Sequence, residues 1–442
     1  MYKEATFEER IIAFIEGKLS GDEHLVTEKA FGERGAGYYR ADAYLPQGCK
    51  ALEMPERTII ELRGKLQADT LFVLHNMFSA NVSHWDVDNF FVIYENRNDF
   101  SRELLGAYKA YSKDHFYVFS EKEFVKGTAI TVVSKPRLEP WKLKRARIIM
   151  DAQYDFSLGH NTFFLGAGLG YDVHMPMWEQ LLDDLLNRAQ ANSNSAIGSA
   201  DYGDINLSCN HSALIVGRYI ESGFKDMDEF KAQMHASLYQ NSPQPTSDLY
   251  KAIVKAIETN KVEQAITFNY DDLLETALMG TKHQAHSIFV RGHYSGEEFP
   301  VYHVHGMIPQ SRPIDSTPVL SEKEYHNLYK ESYHWSNVVQ LQALSSTTCF
   351  FIGLSMNDPN LRRLLDISRN GMGDLGKDSV TGRACHYAIL ERKPLNPGKP
   401  DSAKDAEHIA MQERMMEDLG INVIWYEYKK HNEVPILIKS II

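Results

Sequence analysis

Short, almost continuously apolar runs recur in the second half of the chain and indicate buried β-strands. Runs of this length without polar alternation are typical of parallel strands that are covered on both faces. The runs are NTFFLGAGLG (161–170), QAITFNY (264–270), PVYHVHG (300–306), TTCFFIGLS (347–355), CHYAILE (385–391) and NVIWYEY (422–428). Between the first two, MWEQLLDDLLNRAQ (177–190) has apolar residues at helical spacing. This alternation predicts an α/β fold with a Rossmann-like, doubly wound parallel sheet.

A long helical stretch separates the first two of these strands. Between Leu186 and Thr267 the pattern is mostly helical, with polar interruptions at QANSNSAIGSADYGD (190–204) and NSPQPTSD (241–248). Polar stretches of this kind, rich in Ser, Asn, Gly and Pro, are typical of loops between helices. We therefore predict a helical insertion around residues 187–262.

The first part of the chain predicts a separate, smaller α/β unit. Strand-like runs occur at TIIEL (58–62) and NFFVIYE (89–95), and SRELLGAYKAYSK (101–113) has a helical pattern. Two prolines and a basic cluster precede a fresh strand signal between residues 135 and 160. This composition indicates a domain boundary, and we predict domains at 1–145 and 155–442.

Length and charge limit the classes of function. A chain of 442 residues exceeds what one hydrophobic core usually supports, which agrees with two domains. The formal net charge of −12 disfavours general attraction to nucleic acid, so any polyanion site must be a local basic patch. No run reaches the roughly 18 apolar residues of a membrane span, and the start lacks a signal-peptide core. We expect a cytoplasmic protein without a membrane partner.

The four cysteines give no disulfide framework and no zinc ribbon. They are far apart in the sequence, and no two form a C-x-x-C pair: Cys49, Cys209, Cys349 and Cys385. Structural zinc sites commonly take two such pairs, so we expect no zinc. A reducing cytoplasm is the simplest compartment for this cysteine pattern.

Glycines follow the first strand of the second half. The turn reads Gly166, Ala167, Gly168, Leu169, Gly170. Glycines at a strand-to-helix turn let the backbone approach a phosphate, and a helix N-terminus supplies unpaired N–H donors. Short glycine turns are also common as tight connections without a ligand. The turn is therefore a candidate cofactor-binding segment that needs support from other motifs.

Polar residues follow the next strand, where AITF runs into Asn269, Tyr270, Asp271 and Asp272. Ligands of open parallel sheets collect outside the carboxyl ends of the strands, so an amide and two carboxylates at this position suit a binding site. Helix capping is the alternative, because Asp271 or Asp272 precedes the helical segment LLETAL. Both interpretations stay open for the two aspartates.

Two further strand ends carry candidate side chains. His305 precedes Gly306, which suits a loop that opens onto a cleft, whereas His303 is expected to be a packed or edge histidine. The segment FFIGLSMNDPNLRRLL (350–365) leads from a strand into a helix and contains Gly353, Ser355, Asn357 and Asp358. Asp358 is a plausible helix N-cap, and Ser355 is a plausible ribose or phosphate ligand.

In this order, the four motifs resemble the sirtuin-like domain of bacterial defence proteins over residues 160 to about 430. The family has a GAG turn with a Pro-x-Trp helix, here Gly166 to Gly168 and Pro176 to Trp178. Its Thr-Asn-Tyr-Asp motif is Phe268 to Asp271, with Phe in place of Thr. Its His-Gly and Gly-x-Ser-x-x-Asp motifs are His305-Gly306 and Gly353 to Asp358.

The resemblance implies a nicotinamide-dinucleotide site. Relatives in defence systems hydrolyse NAD+, and an oxocarbenium-like ribose then needs polar groups and a positioned water. Asn269 would orient the ribose or the water, His305 would act as general base or ribose partner, and Asp271 would support either. The glycine turn, Gly353, Ser355, Asn357 and Asp358 would bind the dinucleotide. Relatives often have Ser where this chain has Gly170, which removes a hydroxyl contact.

The first half resembles the PD-(D/E)xK restriction-endonuclease-like family. RADAYLPQGCKALEMPERTIIELRGKL (40–66) places Asp42 before Glu61-Leu62-Arg63, where the family has Asp followed by Glu-x-Lys. The resemblance implies a divalent metal such as Mg²⁺ on Asp42 and Glu61, with DNA as substrate. Arg63 keeps the charge of the missing lysine as a clamp but is a poor base, and Lys65 is an alternative. A working nuclease and a degenerate scaffold both stay open.

Three functions follow from these patterns. The leading hypothesis is an NAD+ hydrolase that acts as effector of a prokaryotic antiviral system by NAD+ depletion. The second is a dual-activity effector that also cleaves DNA, and the third is a non-catalytic dinucleotide sensor that only binds and assembles. The family resemblance further implies a homo-oligomer and a regulatory partner, such as a HerA-type ATPase or another sensor protein.

Overall fold

The computed structural model gives the fold of residues 5–33, 36–66, 70–71, 73–75, 77–78, 85–97, 115–126, 140–192, 213–291, 296–311, 316–331, 333–371, 386–395 and 403–442. Contacts within the chain divide it into two compact units. The first unit comprises Met1–Tyr154 and Lys439–Ile442, and the second comprises Asp155–Ile438. The predicted domains, 1–145 and 155–442, follow a similar division and stay predictions.

The first unit contains a five-stranded mixed sheet and a two-stranded hairpin. Its strands are β1 (Val26–Thr27), β2 (Ala30–Glu33), β3 (Ala36–Arg40), β4 (Ala43–Leu45), β5 (Thr58–Leu66), β6 (Asn89–Arg97) and β7 (Phe116–Ser120). The sheet has the order β1-β4-β5-β6-β7, in which the last two pairs are parallel, and β2 pairs with β3. The predicted strands at 58–62 and 89–95 are therefore confirmed. The helix predicted over 101–113 lies outside the described residues.

Helix α1 (Phe7–Glu16) packs on this sheet through one apolar stripe. Thr6 and Glu9 form a capping box that satisfies the first amides of the helix. Phe7, Ile11 and Ile15 recur every four residues, and they are buried in the same apolar cluster as residues of β4, β5 and β6. Two further helices that begin in this unit are α2 (Glu121–Val125) and α3 (Pro140–Ser157). A mixed α/β unit precedes the second sheet, and its identification as restriction-endonuclease-like stays a prediction.

The second unit is built on seven parallel strands. They are β8 (Asn161–Leu165), β9 (Val262–Thr267), β10 (Ala285–Ile288), β11 (Phe299–His303), β12 (Thr348–Ile352), β13 (His386–Arg392) and β14 (Ile421–Glu427). Their order is β10-β11-β9-β8-β12-β13-β14, and all six pairs are parallel. Every residue of β8 is buried, as its uninterrupted apolar pattern predicts. The α/β class and the parallel sheet are thus confirmed, and the sheet is consistent with a Rossmann-like fold.

Helices lie between most of these strands, and one more follows β14. They are α4 (Trp178–Ala191), α5 (Ala213–Glu221), α6 (Met227–Leu238), α7 (Asp248–Glu258), α8 (Leu273–Leu278), α9 (Glu322–Lys330), α10 (Trp335–Ser346), α11 (Pro359–Gly371), α12 (Ala403–Asp418) and α13 (Val434–Ile441). Helices α5, α6 and α7 lie within the predicted helical insertion, of which residues 193–212 are outside the described part. The connection from β8 leads to β9 on one side, whereas β12 leads to β13 on the other. The carboxyl ends of β8 and β12 therefore flank a topological switch point, where such sheets bind ligands.

Candidate functional site

The four strands that carry the sequence motifs end at the same level of the sheet. His303 pairs with Thr267, Thr267 with Leu165, and Leu165 with Ile352. These four residues are the last of β11, β9, β8 and β12. The loops that begin at residues 304, 268, 166 and 353 consequently leave the sheet at one edge, and the structure brings the four motifs together there.

The glycine turn after β8 packs directly on the turn after β12. The amide of Gly166 donates to Ile352 O at 3.0 Å, and the amide of Gly168 donates to Gly353 O at 3.0 Å. A Cβ at Gly168 would lie 2.8 Å from the Cα of Gly353, and a Cβ at Gly166 would lie 2.6 Å from Gly353 O. Gly353 itself has φ +69, a conformation that favours glycine. These glycines are therefore required by the close approach of two turns.

The sequence predicts that the backbone amides of this turn are unpaired donors for a phosphate, and the structure differs. The amide of Leu169 donates to Gly166 O at 2.9 Å, so the amides of Gly166, Gly168 and Leu169 are all bonded within the chain. The turn enters a 3₁₀ helix, Ala167–Val173, and α4 begins only at Trp178. Contact with a phosphate through this turn stays a prediction, and three of its amides are not free donors for it.

Gly170 has a local packing explanation. A Cβ at Gly170 would lie 2.6 Å from the Cβ of Met175, a distance that atoms in proteins do not adopt. The amide of Met175 also donates to Gly170 O at 3.1 Å, which closes the turn at this point. The serine that relatives often have here would therefore need Met175 to move.

Asn269 has a fixed backbone and an unpaired side chain. Its amide donates to Thr267 Oγ1 at 3.1 Å, and its carbonyl oxygen lies 3.3 Å from His303 Nδ1. The residue is half-buried, and within the described part of the chain its side-chain amide makes no hydrogen bond. An ordered backbone with an unused carboxamide at the edge of the sheet suits a group that binds a ligand.

The two aspartates that follow have different roles. Asp271 is buried, and its carboxylate accepts a hydrogen bond from Leu273 N at 3.1 Å at the start of α8. Asp272 accepts from the Tyr239 hydroxyl at 3.2 Å and from Gln310 N at 3.0 Å. Asp271 thus binds the first amide of α8 from the position before the N-cap, Asp272, whose own side chain makes no capping hydrogen bond, and the predicted support of a catalytic group by Asp271 stays a prediction.

The environment of Asp271 disfavours its charge. Burial, reinforced by the nearby charge of Glu275, raises the pKa of Asp271 to about 6, although the hydrogen bond from Leu273 and the charge of His303 act in the opposite direction. A folded-state pKa above the unfolded value of about 3.9 means that stability falls as the pH rises between these two values. At pH 7 the carboxylate is ionised at a cost to the folded state.

Asp271→Asn is therefore expected to increase the free energy of unfolding at pH 7 by ~2 kcal/mol, because the amide keeps the acceptor for Leu273 N without the buried charge. The gain should shrink as the pH falls from 7 to 4. Denaturant unfolding at several pH values measures it, with the exposed Asp366→Asn on α11 as control. A loss of stability at pH 7 would contradict the assigned cause of the pKa shift.

His303 is buried in an ionic pair. Its side chain is 0% exposed, and its Nε2 lies 2.6 Å from Glu275 Oε1. The hydroxyl of Ser287 donates to the same carboxylate oxygen at 2.8 Å. His303 is thus a packed histidine, as expected from the sequence. Glu275 was not predicted, and its only signal is a charged residue inside the apolar segment LLETAL.

His305 lies beyond the end of β11 and contacts the turn after β12. Its Nε2 is 3.5 Å from Asp358 Oδ2, and its ring packs edge-on against Phe268 with centroids 4.8 Å apart. The hydroxyl of Tyr325 donates to Asp358 Oδ2. Burial lowers the pKa of His305, although the charge of Asp358 opposes this shift. His305 is therefore neutral at pH 7 and retains a lone pair for proton transfer.

Asp358 joins this histidine to a helix. Its Oδ1 accepts from Leu361 N at 2.6 Å, which is the N-cap hydrogen bond of α11. The predicted cap is therefore present, and the second oxygen faces His305 and Tyr325. Tyr325 was not predicted, and nothing in the sequence pattern of α9 indicates its contact with Asp358.

Ser355 and Asn357 lie on the turn between β12 and α11. Both residues are exposed, whereas Met356 between them is buried with φ +60. Within the described part of the chain, neither polar side chain makes a hydrogen bond. They are available to a ligand at the same edge of the sheet as Asn269.

In the first unit, the register of β4 and β5 sets Asp42 opposite Glu61. Ala43 pairs with Ile60, and Asp42 Oδ2 accepts from Leu62 N at 2.7 Å. Burial, with the charge of Asp42, raises the pKa of Glu61 to about 7. The predicted pair of carboxylates is thus adjacent, while Lys65 is exposed farther along β5.

Internal partners already occupy the carboxylate of Glu61. The hydroxyl of Tyr39 donates to Glu61 Oε2, and Arg63 pairs with Glu61 Oε1. No group of three or more His, Cys, Asp or Glu side chains that could hold a metal occurs within the described residues. The described side chains around Asp42 and Glu61 therefore do not form a divalent-cation site by themselves, and Mg²⁺ stays a prediction.

Two further sequence-based expectations concern cysteines and membranes. Cys49 and Cys349 are buried and form no disulfide within the described residues, whereas Cys209 and Cys385 lie outside these residues, so the expected absence of zinc stays a prediction. Across the described ranges, the helices are too short or too polar to cross a bilayer.

Comparisons with known proteins concern the second unit. Residues 263–424 match the SIR2-like domain family, and no curated protein matches the chain. A Sir2 homologue–NAD complex is 13% identical and covers 66% of this chain and 93% of its own, with a TM-score of 0.32. A Sir2 homologue mutant bound to ADP-ribose is 12% identical and covers 66% of this chain and 95% of its own, with a TM-score of 0.34. The family match over residues 263–424 by itself identifies a SIR2-like domain in the C-terminal region of the chain.

Proposed function

We propose that the second unit hydrolyses NAD+ at the nicotinamide–ribose bond. One observation carries the proposal: the in-register ends of β11, β9 and β12 bring an unpaired Asn269 carboxamide and a neutral His305 to one edge. The match of residues 263–424 to the SIR2-like domain family supports a nicotinamide dinucleotide as the ligand. Open parallel sheets bind such ligands at this edge.

The proposed chemistry assigns separate tasks to Asn269 and His305. Cleavage of the nicotinamide bond builds positive charge on the ribose and needs a water or hydroxyl held at the reacting carbon. The Asn269 carboxamide orients that water or the ribose. Neutral His305 accepts a proton from it, since a base needs a free lone pair at the working pH. Asp358, 3.5 Å from His305 Nε2, stabilises the imidazolium that forms.

The remaining polar groups at this edge would hold the rest of the dinucleotide. Ser355 and Asn357 are exposed at the carboxyl end of β12, where a ribose hydroxyl finds donors and acceptors. The glycine turn lies beside them, because Gly168 N is bonded to Gly353 O. We assign these residues to orientation of the adenosine side and the diphosphate of NAD+.

We further propose that the enzyme is an effector of antiviral defence that depletes NAD+ in infected cells. The order of the GAG, Asn-Tyr-Asp, His-Gly and Gly-x-Ser-x-x-Asp motifs supports this role through its resemblance to defence proteins. The same resemblance supports a homo-oligomer and a regulatory partner, such as a HerA-type ATPase or another sensor protein. Such a partner would hold the activity off until infection.

The other two hypotheses have weaker support. A sensor that only binds the dinucleotide has no need for a neutral histidine beside a carboxylate, so hydrolysis explains His305 better. DNA cleavage by the first unit is disfavoured, because Tyr39 and Arg63 occupy both oxygens of Glu61 although Asp42 is adjacent. The proposal is therefore limited to NAD+.

NAD+ content in bacteria that express the chain with its neighbouring genes tests the effector role. Mass spectrometry of cell extracts should show a fall in NAD+ and a rise in nicotinamide after phage infection, and neither change without infection. Cells that carry the neighbouring genes without this chain are the control. Constant NAD+ in infected cells that the system nevertheless protects would overturn the proposal.

A further inference from the structure

The two ring nitrogens of the fully buried His303 each face a polar neighbour. Its Nε2 lies 2.6 Å from a carboxylate oxygen of Glu275, and its Nδ1 lies 3.3 Å from the backbone carbonyl oxygen of Asn269. Both neighbours are acceptors. A neutral imidazole carries one N–H, so it cannot donate to both an ionised carboxylate and a carbonyl. A proton on each ring nitrogen lets His303 donate to both acceptors when Glu275 is ionised.

The surroundings favour this ion pair. Burial acts to lower the pKa of His303, but the charge of Glu275 and the hydrogen bonds to Glu275 and Asn269 outweigh it, so the pKa is raised. Burial likewise acts to raise the pKa of Glu275. The charge of His303 and its hydrogen bond outweigh this effect, and the pKa of Glu275 is lowered. Three other groups face the pair, namely Asp271 before α8, Tyr250 on α7 and Ser287 on β10.

The hydrogen bond from His303 completes the support of Asn269. The amide of Asn269 donates to Thr267 Oγ1 at 3.1 Å, and its carbonyl accepts from His303 at 3.3 Å. The backbone amide and the carbonyl of Asn269 are therefore both hydrogen-bonded, although the residue lies in a loop. Glu275 on α8 and Ser287 on β10 hold the histidine in turn. The direction of the Asn269 side chain then depends on His303.

We propose that His303 is a positioning residue, which, held by Glu275, fixes the peptide carbonyl of Asn269 and so aims the Asn269 carboxamide at the nicotinamide ribose. This inference rests on the proposed NAD+ hydrolysis. His303 itself is 0% exposed and touches no substrate. A displacement of about 1 Å at a positioned group can reduce catalysis ~100-fold, so such a support is worth a large factor in rate.

Two amide substitutions separate the two hydrogen bonds of His303. In His303→Asn, the side-chain amide nitrogen takes the place of Nδ1 and still donates to Asn269 O. In His303→Gln, the side-chain amide nitrogen takes the place of Nε2, so only the contact with Glu275 is retained. We expect His303→Gln to lower kcat by ~10-fold or more with little change in KM, and His303→Asn to recover most of kcat. His326→Gln, on the exposed face of α9, is the matched control. Equal kcat in all three variants and the wild type would overturn the proposal.

A second measurement does not depend on NAD+ cleavage. Nitrogen-15 NMR of wild-type protein with labelled histidine, assigned by the signal lost in His303→Asn, reports the protons on each ring nitrogen of His303. A protonated Nδ1 at pH 7 is expected, and a protonated Nε2 identifies the ion pair with Glu275. An Nδ1 without a proton would overturn the positioning role even if NAD+ is cleaved. Absence of NAD+ cleavage with a protonated Nδ1 would instead refute the proposed function, and with it the inference that rests on it.

Discussion

Replacement of Asn269 by alanine is expected to lower the rate of NAD+ cleavage by ~100-fold or more, the loss typical of one preorganised hydrogen-bonding group in an active site. The fold should survive this change. The side-chain amide makes no hydrogen bond within the described part of the chain, and the backbone bonds to Thr267 and His303 do not involve it. The substitution therefore removes only the side-chain group to which the proposed function assigns contact with the substrate.

Nicotinamide release and thermal unfolding, measured on the same preparations, separate activity from folding. Asn327→Ala is the matched control, because Asn327 is an exposed asparagine of α9 with no assigned role in the proposed site. The control should retain the wild-type rate, and both variants should unfold within a few degrees of the wild type. Full NAD+ cleavage by Asn269→Ala would refute the assignment of this residue.

His305→Ala is expected to lower the rate by ~100-fold to ~10,000-fold, the range for loss of a general base. The wild-type rate should also depend on pH in a defined direction. Burial lowers the pKa of His305 below its usual value near 6.5, so the residue is neutral at pH 7 and above. Activity should be constant there and should fall as the pH drops through the His305 pKa, because protonation removes the lone pair.

Asp358→Asn gives a directional test of the same residue. Asparagine caps helices as well as aspartate does, so α11 should stay intact. The charge of Asp358 raises the pKa of His305, and its removal should move the acid limb of the pH–rate profile to lower pH. His326→Ala on α9 should leave the profile unchanged. An acid limb that is retained in His305→Ala would show that another group titrates.

The strands could be predicted from the sequence because their burial pattern is local. Runs such as QAITFNY and TTCFFIGLS overlap β9 and β12, most of whose residues are buried. The contact between His305 and Asp358 could not be predicted in this way. It depends on the register of β11, β9, β8 and β12, and no local pattern encodes the pairing of strands so far apart in the chain.

The roles of His303 and His305 follow from the point where β11 ends. Residues two apart share a face of a continuous strand, so alternation alone does not separate them. The strand ends at His303, and the turn that follows contains Gly306 with φ +83, where a Cβ would lie 2.5 Å from Thr317 O. His303 therefore points into the interior towards Glu275, and His305 reaches Asp358.

The glycine turn and the carboxylate pair of the first unit show another limit of sequence patterns. Glycine at 166 and 168 suits close approach to a phosphate, but here it also accommodates the neighbouring turn at Gly353. Asp42 and Glu61 have the spacing of a metal site, yet Tyr39 and Arg63 bind the carboxylate of Glu61 within the chain. A sequence pattern shows which residue types are present, but the contacts that their side chains make depend on the folded structure.

Nicotinamide formation by the chain itself, isolated with its partners from infected cells, is the measurement on which the proposed function depends. With NAD+ added to these preparations, NMR should show nicotinamide and an ADP-ribose product appearing in equal amounts with wild-type and Asn327→Ala protein. Asn269→Ala protein, isolated in the same way, should leave NAD+ intact. Intact NAD+ with all three preparations, or equal nicotinamide release from all three, would contradict hydrolysis at the edge that carries Asn269.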